Sequence, residues 1–76
     1  MKVTRKFIFR FLQSEYDFHK QNAQKYARLM GSAEQLQDPI AYRNAEFNWW
    51  RCEHSAEAIQ SFIYRLKYAI KEGEQL

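Results

Sequence analysis

Between Tyr42 and Ile70 the chain repeats one pattern without a break. Tyr42, Ala45, Trp49, Cys52, Ala56, Ile59, Ile63, Leu66 and Ile70 follow one another at alternating steps of three and four residues. A half-buried strand needs a period of two, so this stretch is an amphipathic helix with one continuous apolar stripe. A second stripe with the same alternation runs through Phe9, Leu12, Tyr16, His19, Ala23, Tyr26 and Met30. Two helices of this length use up most of a 76-residue chain. The expectation is one all-α domain built as an antiparallel two-helix hairpin. Composition agrees: with 2 Gly and 1 Pro the chain lacks the turn residues of a many-stranded β fold, and 46% hydrophobic residues exclude a disordered polar tail.

The boundaries come from capping chemistry. Gly31 follows Met30 and is a natural helix stop, because glycine takes a positive φ without steric cost. Asp38-Pro39 is a start signal: the Asp carboxylate accepts orphan N–H groups, and Pro in the first helical position gives up no needed donor. Ser32 with Gln35 has the form of a cap for a short extra turn, and Gly73 stands where the second helix should end. The predicted helices are therefore about 3–30 and 39–72, with a loop at 31–38. Folding back about residue 36 sets Tyr26 against Ala45, Ala23 against Trp49, His19 against Cys52 and Tyr16 against Ala56. It also sets Leu12 against Ile59 and Phe9 against Ile63. Large faces small in several of these layers, which lets side chains interdigitate without voids.

Residues 2–12 admit a second reading. Val3, Phe7, Phe9 and Phe11 alternate with Lys2, Lys6 and Arg10, as in a strand with a basic face, and Ser14 would then cap a helix from Glu15. That element order is similar to the ribbon-helix-helix DNA-binding dimers, in order alone and without a diagnostic motif. Helix is the preferred reading, because the first stripe already begins at Phe9.

One stripe per helix does not use all the apolar side chains. Phe7, Ile8, Phe11 and Phe18 lie outside it on the first helix, and Phe47, Trp50, Phe62, Tyr64 and Tyr68 lie outside it on the second. Left in water they are an aggregation hazard, so two hairpins are expected to associate as a homodimeric four-helix bundle. Phe47, Trp50, Tyr64, Tyr68, Phe11 and Phe18 are the candidate contacts with a protein partner, since aromatics dominate interface hot spots. In the tandem Trp49-Trp50, Trp49 packs inward and Trp50 faces out.

The formal charge of +3 is unevenly placed. Lys2, Arg5, Lys6 and Arg10 have no acid among them, and the hairpin brings them beside Arg65, Lys67 and Lys71. A basic patch with Tyr64 and Tyr68 in it suits phosphates and unpaired bases, so nucleic acid is the alternative partner. Small helical-hairpin dimers that bind RNA in plasmid copy control offer an analogy of architecture without a shared motif. Arg10 interrupts the only signal-like apolar stretch, and no run reaches the ~18 residues of a membrane span. The expected location is cytoplasmic, with Cys52 reduced and no membrane partner.

Groups that carry chemistry are sparse. The fold-back pairs His19 with Cys52, a possible nucleophilic pair, yet both occupy stripe positions and no third group orients the imidazole. His54 lies on another face. Glu15 and Asp17 point apart, while Glu53 and Glu57 share a solvated surface. Two helices enclose little space for a substrate. The expectation is a non-catalytic interaction protein with no metal and no cofactor.

Overall fold

The computed structural model describes residues 4–74, with side chains described for residues 4–71. The chain is all-helical: α1 spans Arg5–Gln35, α2 spans Pro39–Glu74, and the two pack against each other as an antiparallel hairpin. The Cα trace measures 59 × 24 × 13 Å. Its length is that of α2, since 36 residues rise about 54 Å, and its thickness is that of one helix.

Capping starts each helix. The Phe7 N–H donates to Thr4 Oγ1 at 3.2 Å, and Thr4 itself is extended, so Thr4 is the N-cap of α1. The segment from Arg5 is therefore helix, and the strand alternative is corrected over residues 4–12; Lys2 and Val3 lie outside the described residues. The physical reason is that Phe9 and Leu12 continue the helical stripe, and both are half-buried. At α2 the Ala41 N–H donates to Asp38 Oδ1 at 3.1 Å, with Pro39 in the first helical position as expected.

The connection is much shorter than predicted. Gly31 does not stop α1, has no positive φ, and a Cβ there would meet open space. Helix continues because Ala33, three residues after Met30, extends the stripe and is buried. Ser32 and Gln35 belong to α1 and cap nothing separate. The turn is instead a Schellman closure: the Gln37 N–H donates to the Glu34 carbonyl at 3.1 Å and the Asp38 N–H to the Ala33 carbonyl at 2.9 Å. Gln37 takes the left-handed position, with φ 54°. A side chain there costs about 1–2 kcal/mol, part of which glycine returns as unfolded-chain entropy. Gln37→Gly is expected to stabilise the fold by about 0.5–1 kcal/mol, read as a higher denaturant midpoint at unchanged slope. At the other end α2 runs through Gly73 to Glu74.

Both stripes form the helix–helix contact. Among the described residues Ala23, Ala33, Ala45 and Ala56 are the buried apolar core, and the larger stripe residues, from Phe9 to Met30 and from Tyr42 to Ile70, are half-buried. Alanine at the closest approaches lets the backbones come together, while the larger groups cover the seam on either side. With the turn centred on Gln37, the register moves on from a fold-back about residue 36. Lys67 lies over the Phe9 ring at 5.9 Å, and Tyr16 shares a cleft with Gln60 and Ile63.

Candidate interaction surface

A packed two-helix hairpin has two broad faces, one on each side of the seam. Stepping three and four residues at a time, one face carries Arg10, Gln13, Asp17, Lys20, Gln24 and Glu34 from α1. From α2 it takes Arg43, Glu46, Glu53, Glu57, Lys67 and Lys71. This is a charged face, and a cross-helix ion pair lies on it. Lys20 Nζ donates to both Glu53 oxygens at 3.1 and 3.0 Å. The hydrogen bond to Glu53 raises the Lys20 pKa above its ordinary 10.5, and the charge of Glu53 adds to that. Because the folded pKa is the raised one, the contribution is complete at neutral pH and disappears as pH climbs beyond 10.5 through the raised value. A half-buried surface pair of this kind is partly screened by salt and adds little to stability. Sequence reasoning treated Glu53 and Glu57 as solvated; Glu53 is in fact half-buried under Lys20, while Glu57 is exposed.

The opposite face is different in kind. From α1 it carries Ile8, Phe11, Glu15, Phe18, Asn22, Lys25 and Leu29. From α2 it carries Ala41, Asn48, Arg51, Ser55, Ala58, Phe62, Arg65 and Ala69. Two grooves run along it, one lined by Phe18, Asn22, Arg51 and Ser55, the other by Leu29, Leu36, Ala41 and Asn44, and they share Tyr26 and Asn48. His19 and Cys52 both line the first groove, so the expected proximity of these two positions is partly realised. His19 Nε2 stands 4.0 Å from Glu15 Oε2, one turn away on its own helix. Among the described residues no three His, Cys, Asp or Glu side chains converge on one point.

All six aromatic contact candidates are exposed: Phe11 at 55%, Phe18 at 57%, Phe47 at 59%, Trp50 at 52%, Tyr64 at 66% and Tyr68 at 68%. They do not form one patch. Phe11 and Phe18 lie on the apolar face, whereas Phe47, Trp50, Tyr64 and Tyr68 lie on α2 at its outer edge and toward the charged face. Trp50 stacks on the His54 ring with centroids 4.0 Å apart, and the Arg51 guanidinium lies 5.8 Å from the Phe47 ring. Trp49 is half-buried at the seam, so the tandem tryptophans divide as expected. Three exposed apolar residues escaped the sequence reading: Leu29, Leu36 and Ile40. Leu29 and Leu36 are seven and fourteen residues past Asn22 and fall in line with Ile8. Only Leu36 lies beyond a helix that stops at Met30; Leu29 lies inside it, and its seven-residue spacing from Asn22 was there to read.

The basic candidates gather at the open end of the hairpin. Arg5, Lys6, Arg10, Arg65, Lys67 and Lys71 are exposed there, and Lys2 lies outside the described residues. No Asp or Glu occurs in residues 4–14 or 58–71, the segments that make up this end. No described helix is long and apolar enough to cross a membrane. Comparisons with protein-family models, with curated proteins and with solved structures each find no match.

Proposed function

We propose that this chain is a small non-catalytic interaction protein that self-associates as a four-helix bundle and binds a protein partner stoichiometrically. One observation carries the reading. The side chains the hairpin buries are alanines, while its large apolar groups, among them Phe18, Leu36, Phe47, Trp50 and Phe62, stay half or more exposed. A fold that hides its smallest residues and shows its largest gains most of its stability by being covered. The clefts beside the turn are open surface grooves of a hairpin one helix thick, and open grooves of that kind weigh against catalysis. Trp50, Phe47, Tyr64 and Tyr68 serve as anchors, with Arg10, Arg65 and Lys67 guiding approach; the setting is the cytoplasm, where Cys52 stays a thiol.

Sedimentation equilibrium over a wide concentration range tests the first half. The expected result is a mass of twice 9.3 kDa at micromolar concentration, with a thermal midpoint that rises with concentration. A monomer throughout, equally stable at every dilution, would remove the reading.

A second reading rests on the basic open end, whose charge Glu72 and Glu74 only partly offset. Six exposed basic residues with Tyr64 and Tyr68 suit a nucleic-acid backbone and its unpaired bases. It calls for a mobility shift with single-stranded or duplex nucleic acid that weakens steeply with salt and with Lys6→Ala plus Arg10→Ala. The absence of any shift at low salt ends that reading.

A further inference from the structure

We infer that the apolar face bearing Phe11, Phe18, Leu29 and Phe62 is where a second copy of this chain docks, with the loops of the two hairpins at opposite ends. The inference deepens the self-association reading and rests on it. It says which of two available faces pairs, and how.

Area is the first argument. The hairpin exposes 6530 Å², whereas a compact monomer of its mass exposes about 5,000 Å². The excess, about 1,500 Å², is what each partner loses in an obligate homodimer. A face whose burial the fold itself depends on needs an occupant that is present whenever the chain is, and a second copy meets that condition.

Composition chooses the face. The side carrying the Lys20–Glu53 bridge is dense in charge, and burying it would strand Asp17, Glu46 and Glu57 away from water. The other side offers large groups, Phe11, Phe18, Leu29 and Phe62, set among small ones, Ala41, Ser55, Ala58 and Ala69. That mixture allows close helix approach and interdigitation. Asn22 and Asn48 line its groove, and a polar pair in an apolar seam can fix register at some cost in stability.

Charge chooses the direction. Lys25, over the Tyr26 ring at 5.9 Å, and Arg51, in the same groove, put two positive charges on the loop-side half of the face. Glu15 lies toward the open end. Loops at the same end would lay α1 over the partner subunit's α2 and set Lys25 against Arg51 of the partner subunit, two like charges. A two-fold axis lying in the interface, perpendicular to the helix axes and level with residue 20 of α1, instead carries Glu15 to the level of the partner's Lys25. The same operation brings Ile8 and Phe11 to the level of Leu29 and Leu36. Acid then meets base and apolar meets apolar.

The test uses the full chain. Phe18→Glu is expected to raise the dimer dissociation constant about 100-fold or more, since two-fold symmetry counts each substitution twice. Trp50→Glu, off this face, should change it less than about threefold. Hydroxyl-radical labelling of the unmodified protein serves as a check that does not depend on how a variant folds. Phe11, Phe18 and Phe62 should become protected as concentration rises, while Trp50 and Tyr64 should not. Spin labels on Gln37→Cys in a Cys52→Ser background should stand apart by a distance comparable to the 59 Å length of the hairpin. A monomer at all concentrations overturns this inference together with the self-association reading. A dimer broken by Trp50→Glu and indifferent to Phe18→Glu overturns the face and leaves self-association standing. Labels found side by side overturn the opposed arrangement.

Discussion

Ala56→Glu is expected to abolish the fold. Ala56 is 1% exposed, at one of the closest approaches between α1 and α2. A carboxylate placed there has neither room nor a partner, and an uncompensated buried charge costs about 3–5 kcal/mol. A single core in a chain of this size rarely supplies more than that amount. Far-UV circular dichroism should show loss of helix at room temperature. Ser61→Glu, on the exposed outer side of the same helix, should stay within about 0.5 kcal/mol of the parent. A folded Ala56→Glu protein with an unchanged thermal midpoint would mean that the seam is not where the four alanines place it.

The second large effect separates neighbouring tryptophans. Trp49 covers the seam, so Trp49→Ala removes a large contact and leaves a void; the expected cost is about 2–3 kcal/mol, below the full core value because the ring is only half-buried. Trp50 is 52% exposed and its ring contact is with His54, so Trp50→Ala should cost less than about 1 kcal/mol. Denaturant midpoints measured at one protein concentration give the comparison. Binding should follow the opposite order: Trp50→Ala weakens capture of a protein partner while the fold persists. Equal destabilisation by the two substitutions would contradict the division of roles.

Much of the hairpin was legible in the residues because its determinants are periodic. The alternation of three and four puts each stripe residue on one side of a helix, and the structure buries or half-buries every stripe position from Phe9 to Met30 and from Tyr42 to Ile70. Asp38-Pro39 was legible for a different reason, since an N-cap carboxylate followed by proline acts locally. Gly31 misled because glycine is permissive rather than directive. It ends a helix when a positive φ is useful, and here Ala33 had a seam to fill two residues later. The actual turn residue, Gln37, has no intrinsic preference for the left-handed region. It is held there by the two carbonyls that the closure satisfies, which only the packed neighbours reveal. The early stop hid Leu36, which caps the longer α1, but the line of Ile8, Asn22 and Leu29 lay within the predicted helix and was open to reading.

Only the turn at residues 36–38 joins the helices covalently, which makes sequence separation a measure of distance from the hinge. Ala33 and Tyr42 lie close to it in the chain; Phe9 and Lys67 lie far from it. Each layer that closes spares the next the cost of a long loop, so assembly runs like a zipper from Gln37 outward, and opening runs back the same way. Amide exchange should then be slowest near the hinge and fastest toward Arg10 and Arg65. The most positive region of the molecule is thus also the first to unclasp.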